Sequence, residues 1–275
     1  MPPRRIITNR FINYHQDRSV AALTHVVGQR VDLPRAARLR PVQLTALGPL
    51  TVSRLGLGAM LMGGDTPAAE AHRMLDRFID AGGTLVDTAD TYGDGESERT
   101  LAPWLARRRD DVVIATKVRF PVSDPGGEGL APDRIRAACD ASLRRLGIDT
   151  IDLYQVHGPD PAVPIEDTLA ALDGLVRAGK VRALGASNFP AWLLAWSVAV
   201  QDREGWAPFV SLQPQYSLVE RSAEVELLPF CRAAGHEEDR RRLEQPAPPP
   251  DVSPQRMLRG QLGQADGPVL RRLRA

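Results

Sequence analysis

The sequence predicts an α/β fold of the (β/α)8 TIM-barrel type, incomplete, with about six βα units and an N-terminal β-hairpin. Three observations lead to this prediction. Short apolar runs alternate with stretches whose apolar residues recur every three or four positions, which indicates a parallel sheet covered by helices. No glycine-rich phosphate loop interrupts this rhythm, which favours a barrel over a doubly wound sheet. Counting from Leu55 gives about six strand–helix units, whereas a closed barrel has eight.

The first elements are a hairpin, a strand and a helix. Residues 43–47 and 50–52 flank Gly48-Pro49 and predict the hairpin. Residues 55–60 predict a buried strand, and Thr66-Pro67 marks the start of the first helix, because proline is tolerated in a first turn. The apolar face predicted for this helix comprises Ala71, Met74, Leu75, Phe78 and Ile79.

Five further strand–helix units follow the first. Their strands are predicted at residues 84–88, 112–117, 151–157, 181–186 and 209–214. Their helices are predicted at residues 96–107, 132–146, 164–178, from about 190, and 223–233.

Composition divides the chain into three parts. Residues 1–41 hold eight arginines against two aspartates and have weak periodicity, so they are predicted to be an irregular N-terminal extension. Residues 42–235 hold the partial barrel. Residues 236–275 contain 14 charged residues and six prolines and no four-residue apolar strand, so they are predicted to be a disordered Pro/Arg-rich tail.

Bulk properties restrict the function classes. A net charge of +1 argues against nucleic-acid partners, and no apolar run is long enough to cross a membrane. The two cysteines form no disulfide framework or metal motif, which predicts a cytoplasmic protein.

Polar residues end five successive predicted strands. They are Asp87, Lys117, His157, Ser187-Asn188 and Gln213. The C-terminal ends of barrel strands converge, and active sites are built there. Each residue alone has a simple structural explanation, such as a helix cap, a solvated lysine or a core histidine. Their shared position in the repeat favours a single site.

The residue types suggest proton transfer. Tyr92 follows Asp87 by five residues, and a tyrosine with a pKa of about 10 is a weak acid unless an ammonium stands nearby. Lys117 would supply that ammonium, Asp87 would pair with the buried lysine, and His157 would orient a carbonyl oxygen. No side chain supplies a hydride, which implies a nicotinamide cofactor. A metal-dependent hydrolase is disfavoured and no metal ligand is predicted, because His157 is the only histidine at a strand end.

Several stretches together resemble the aldo-keto reductase family. They are Leu55-Gly56-Leu57-Gly58, DTADTYG at 87–93, Ile114-Ala115-Thr116-Lys117, DLYQVHGPD at 152–160, GKVRALGASN at 179–188, and Gln213 with Tyr216-Ser217-Leu218. The resemblance implies that Tyr92 is the general acid, assisted by Lys117, Asp87 and His157. It further implies that the nicotinamide carboxamide is bound by Ser187, Asn188 and Gln213. NADPH is the usual cofactor of the family, NADH remains the alternative, and the substrates are small aldehydes or ketones.

The resemblance ends near residue 235. Family members continue into a seventh strand and into basic segments that hold the adenosine phosphates, so the chain is expected to be a C-terminally truncated or frame-disrupted member. Two functions remain open. One is NADPH-dependent reduction of aldehydes or ketones with Tyr92 as general acid. The other is a catalytically impaired relative, a pseudoenzyme or interaction module without the phosphate clamp. An open six-strand sheet would also favour self-association through its unpaired edges.

Overall fold

The computed structural model describes residues 42–234 and the backbone of residues 7–8 and 10–11; the remainder of the predicted extension and the predicted tail lie outside the described residues. The strands are β1 Ile7–Thr8, β2 Arg10–Phe11, β3 Leu44–Leu47, β4 Leu50–Ser53, β5 Leu55–Gly58, β6 Leu85–Asp87, β7 Val113–Val118, β8 Ile151–Val156, β9 Val181–Ser187 and β10 Phe209–Gln213. The helices are α1 Ala68–Asp80, α2 Glu96–Arg108, α3 Pro132–Leu146, α4 Ile165–Arg177, α5 Ala191–Glu204 and α6 Leu227–Ala233.

Strands β5 to β10 lie side by side in chain order and in parallel within one sheet, and a helix follows each of them. This arrangement confirms the predicted incomplete barrel of six βα units. The predicted hairpin is confirmed as well, since β3 and β4 form a separate antiparallel pair. No helix in the described part of the chain is long and apolar enough to cross a membrane.

The hairpin closes the end of the barrel at which the strands begin. Its buried side chains Leu47, Leu50 and Val52 pack against one inward-facing residue from each of five strands. Those residues are Leu85, Ala115, Leu153, Ala183 and Val210. The turn needs glycine, because Gly48 has a φ of +55° and a Cβ there would lie 2.5 Å from Val210.

The residues above this apolar floor are polar. Side chains along a strand alternate between its two faces, so the next inward positions lie two residues further along each strand. In β6, β7 and β8 these positions hold Asp87, Lys117 and Gln155, all buried. The alternation of side chains along the strands therefore places a polar layer next to the C-terminal ends of the strands. We call this end of the barrel the mouth. The alternate residues, such as Val86, Ile114 and Tyr154, pack toward the helices.

A short N-terminal segment pairs with both edges of the six-strand sheet. Strand β1 lies parallel to β10, and β2, which begins two residues after β1 ends, lies parallel to β5. The register pairs are Ile7 with Ser211, Thr8 with Leu212, Arg10 with Leu55, and Phe11 with Gly56. Each edge that we expected to be open therefore has a two-residue partner.

Three local predictions were wrong. The strand predicted as buried over residues 55–60 ends at Gly58, and Leu55 and Met60 are 47% and 43% exposed. The last helix does not begin at Ala223: a 3-10 turn spans Ser222–Glu224, and α6 starts at Leu227. Pro229 favours this later start, because it lies in the first turn of α6, where its missing amide hydrogen leaves no helical hydrogen bond unmade. Met74 is 39% exposed and does not join the buried face of α1, which is formed by Ala71 and Leu75.

Candidate active site

Lys117 lies at the centre of the polar layer. Its ammonium donates to Oδ2 of Asp87 at 2.6 Å, to the carbonyl oxygen of Thr88 at 2.8 Å and to the Tyr92 hydroxyl at 3.2 Å. The Lys117 and Asp87 side chains are each 1% exposed, whereas Tyr92 is partly buried. The structure therefore brings together three of the predicted residues through contacts to one ammonium.

Burial and ion pairing act in opposite directions on Lys117 and Asp87. Burial disfavours the ammonium, but Asp87 and Tyr92 outweigh it and raise the pKa of Lys117 above its usual value. Burial raises the pKa of Asp87, and this is opposed by Lys117 and by hydrogen bonds from Lys117 and Gln155. The lysine therefore remains a cation directed at the tyrosine oxygen.

The pKa of Tyr92 is higher than we expected. We expected the ammonium to lower its pKa, but burial is the larger effect and raises the pKa of Tyr92 above 10.0. Lys117 acts in the opposite direction, while Asp87 adds to the increase. Tyr92 is therefore a neutral phenol at physiological pH.

His157 lies beside the tyrosine as a neutral ring. The two rings meet edge to face with centroids 5.7 Å apart. Burial and, to a smaller extent, Lys117 lower the pKa of His157 to about 3. Its Nδ1 is buried without a hydrogen-bond partner among the described residues. The ring therefore adds a polar group to the mouth without adding charge.

The three residues predicted to bind a cofactor form a second group at the mouth. The Ser187 hydroxyl donates to the Gln213 carbonyl at 2.8 Å, and the Asn188 side-chain amide donates to the His157 carbonyl at 2.9 Å. Asn188 is exposed and has a φ of +57°, a conformation that asparagine tolerates better than most residues. The Gln213 side chain accepts from Gln155, which in turn donates to Asp87. All seven predicted residues thus lie in one connected region.

Comparison with known proteins identifies the family. The model of the aldo/keto reductase family matches residues 54–237, more than half of the 275-residue chain. The chain belongs to the aldo/keto reductase family.

Curated relatives of this aldo/keto reductase include bacterial and fungal oxidoreductases. An uncharacterized oxidoreductase of Bacillus subtilis, YrpG, is 40% identical over 198 residues, covering 68% of this chain and 61% of that protein. The aldo-keto reductase YhdN of Bacillus subtilis is 37% identical, with 66% and 56% covered. Norsolorinic acid reductase B of Aspergillus parasiticus is 36% identical, with 74% and 56% covered. The match thus spans less than two thirds of the length of each relative.

Sequence reasoning missed Gln155 in this aldo/keto reductase. Its amide donates to Oδ1 of Asp87 at 3.2 Å and to the Gln213 side chain at 3.3 Å, so it joins the two groups of predicted residues. The Ser211 hydroxyl donates to the side-chain oxygen Oε1 of Gln155 at 3.4 Å. A signal was present, because Gln155 precedes His157 by two residues and so shares its side of the strand.

Phe120 was missed as well, and no sequence pattern pointed to it. Its ring meets that of His157 edge to face with centroids 4.8 Å apart, and the residue is 37% exposed. The Arg119 guanidinium lies 5.2 Å from the centre of the same ring. Phe120 therefore adds an apolar surface next to the polar groups of the mouth.

Proposed function

We propose that the chain carries the reaction centre of an NADPH-dependent reductase of aldehydes or ketones, with Tyr92 as general acid. The observation that supports this most directly is the buried Lys117 ammonium, 3.2 Å from the Tyr92 hydroxyl and 2.6 Å from Asp87. Carbonyl reduction needs a proton donor that is neutral before the reaction and stabilised as an anion after it. A phenol paired with a buried ammonium meets both requirements.

The proton moves from the Tyr92 hydroxyl to the oxygen of the substrate carbonyl. As the phenolate forms, its charge is stabilised by the hydrogen bond from Lys117. Asp87 keeps Lys117 charged and in place, and Gln155 fixes the other carboxylate oxygen of Asp87. This relay contributes most at the transition state, where negative charge develops on oxygen.

His157 would orient the substrate. With a pKa lowered to about 3, the ring is neutral and can donate one N–H to the carbonyl oxygen without competing as an acid. Phe120, packed against that ring, would offer an apolar surface to the substrate. An aromatic substrate is favoured by this surface and by the name of a relative from Pestalotiopsis microspora, an aryl-alcohol dehydrogenase that is 32% identical over 213 residues.

The residues at the mouth fit a nicotinamide. Its carboxamide has donors and acceptors, and Ser187, Asn188 and Gln213 present a hydroxyl and two side-chain amides in one connected group. The bound cofactor would supply the hydride that no side chain can provide. NADPH is proposed over NADH on family resemblance.

The test is binding and turnover with the full chain. NADPH titration followed by tryptophan fluorescence should saturate, and an aromatic aldehyde should be reduced with loss of NADPH absorbance. Tyr92→Phe should lower kcat about a hundredfold or more while leaving NADPH binding within about twofold. Turnover that survives Tyr92→Phe would refute the role of Tyr92.

The same NADPH titration distinguishes the proposed reductase from the alternative, a catalytically impaired relative. If the folded chain binds no NADPH and turns over no aldehyde, the chain is a catalytically impaired relative without the phosphate clamp. It would still keep Asp87, Tyr92, Lys117 and His157, which we call the tetrad. We also propose a cytoplasmic location. This is supported by two buried cysteines that form no disulfide.

A further inference from the structure

The second carboxylate of the Asp87–Gly93 stretch does not join the tetrad. Asp90 is 0% exposed, and its amide donates to the Lys117 carbonyl at 3.2 Å. Its Oδ2 accepts from Nη2 of Arg134 at 3.4 Å, and the Arg134 side chain is 9% exposed. The other carboxylate oxygen, Oδ1, is buried and has no hydrogen-bond partner in the described part of the chain.

Arg134 and Tyr154 also carry buried polar atoms that lack a hydrogen-bond partner. Nε and Nη1 of Arg134 and the hydroxyl of Tyr154 lack partners among residues 42–234. These atoms come from separate elements: the loop after β6 holds Asp90, the first turn of α3 holds Arg134, and β8 holds Tyr154. Buried polar atoms without partners are rare in folded proteins, and ordered water is the usual explanation.

Asp90 and Arg134 are in direct contact, and the charges of both act on Tyr154. Burial raises the pKa of Tyr154 well above its usual value, and the charges of Asp90 and Arg134 both act on it. Burial and Glu98 raise the pKa of Asp90 to about 7, while Arg134 opposes the increase. Each group therefore responds to the charge of another.

The charges around these atoms decide what can bind. Asp90 and Glu98 are the acids, and Arg134 and Arg145 are the bases; Arg145 donates to Glu98 at 2.7 Å. A bound cation would face two guanidinium groups and a bound anion two carboxylates. A small neutral molecule avoids both repulsions. Water can accept from the guanidinium and donate to the carboxylate and the phenol oxygen.

We infer that a buried water site lies between Asp90, Arg134 and Tyr154, and that this water-bridged cluster positions the loop that carries Tyr92. Asp90 precedes Tyr92 by two residues, and its amide is bonded to the backbone of Lys117. The cluster therefore positions the loop that carries Tyr92 from the side of α3. Lys117 contacts the same loop from the interior of the barrel. The positioning role rests on the proposed function of Tyr92; the water site does not.

Crystallography of the full chain tests the water site without any need for activity. We expect a spherical density peak within hydrogen-bond distance of Asp90 Oδ1, Arg134 and the Tyr154 hydroxyl. Tyr154→Phe should keep the fold and weaken or remove that peak. Crystals soaked in bromide should show no anomalous signal there. Direct pairing of the side chains without density between them would overturn the inference, and so would an anomalous bromide peak.

Kinetics test the positioning role. At about pH 8, above the Asp90 pKa of about 7, Asp90→Asn keeps the shape of the side chain but removes its charge. We expect kcat to fall about tenfold with the KM for NADPH unchanged within about twofold. Asp133→Asn, an exposed neighbour in α3, is the matched control and should leave kcat unchanged. A wild-type kcat for Asp90→Asn would refute the positioning role. If the wild-type chain itself lacks turnover, the proposed function fails, whereas the density experiment still decides the water site.

Discussion

The ammonium of Lys117 lies 2.6 Å from the carboxylate of Asp87, and both side chains are 1% exposed. Removing either charge from a buried pair leaves the other without a partner, which is far more unfavourable than removing both. This relationship therefore couples the two charges. It also makes the stability of the barrel depend on groups proposed to act in catalysis.

Lys117→Met should therefore lower the free energy of unfolding by about 3–5 kcal/mol, because it leaves Asp87 buried and unpaired. The double variant Asp87→Asn/Lys117→Met should lose less than the sum of the single losses. Urea denaturation followed by tryptophan fluorescence measures all three variants. Losses that add within about 0.5 kcal/mol would show that the two side chains are not coupled.

Gln155→Met should lower both stability and turnover. The variant removes hydrogen bonds to Asp87 and Gln213, and we expect a loss of about 1–3 kcal/mol and a kcat about tenfold lower.

Gln201→Met provides the matched control for Gln155. Gln201 is also buried, and it bonds the backbone of Ala207 and Phe209 away from the mouth. It should lose similar stability but keep its kcat. Equal kcat values for the two variants would show that Gln155 does not contribute to turnover.

Asp90 and His157 should have opposite effects on the dependence of folding stability on pH. The folded chain retains the Asp90 proton up to a pKa of about 7, against an ordinary 3.8, so this group lowers stability as pH rises between those values. His157 has a pKa of about 3 in the fold, against an ordinary 6.5, so the unfolded chain takes up the proton first. This group lowers stability as pH falls from 6.5 to about 3, a window that largely overlaps that of Asp90.

Single variants should separate the two effects. Relative to the wild type, Asp90→Asn should make stability fall more steeply on acidification, and His157→Gln should make it fall less steeply. Each change of slope should reach at most about 1.4 kcal/mol per pH unit. Urea denaturation at several pH values between about 4 and 7 measures the slopes. Shifts of equal sign in both variants would contradict the pKa assignments.

The hairpin floor should be essential to folding. Leu47→Ala removes a side chain that is 0% exposed, and it should lower the free energy of unfolding by about 2–5 kcal/mol. Leu44→Ala alters the same strand at a position that is 55% exposed and should change stability by less than about 0.5 kcal/mol. Similar losses in thermal denaturation would show that the hairpin does not close the barrel.

Deleting residues 1–41 should promote self-association. The deletion uncovers the backbone of β10 and β5, which pair with Ile7–Thr8 and Arg10–Phe11. Size-exclusion chromatography with light scattering should show larger assemblies than for the full chain. A peptide of residues 1–16 added in trans should reverse the change, and a scrambled peptide should not. An unchanged size distribution after deletion would mean that these pairings do not protect the edges.

Most of the fold and much of the site could be predicted from local patterns. The alternation of strands and amphipathic helices specified six parallel units, because period-2 and period-3.6 patterns are local properties of the chain. The same order placed Asp87, Lys117 and His157 at successive strand ends. Predictions failed where the deciding contact was distant in sequence. Gln155 was missed because its partners Asp87 and Gln213 lie 68 and 58 residues away.

The sequence by itself determined which residues reach the mouth, since strand order and alternation place them there without knowledge of packing. Only the tertiary structure decided their protonation. Burial raises the pKa of Tyr92 and lowers that of His157, so both are neutral, although local reasoning made the tyrosine more acidic. The tertiary structure also decided that one N-terminal segment partners both sheet edges. The physical reason is the same in each case: desolvation and edge pairing depend on what the whole chain packs around a group, and no local pattern records that.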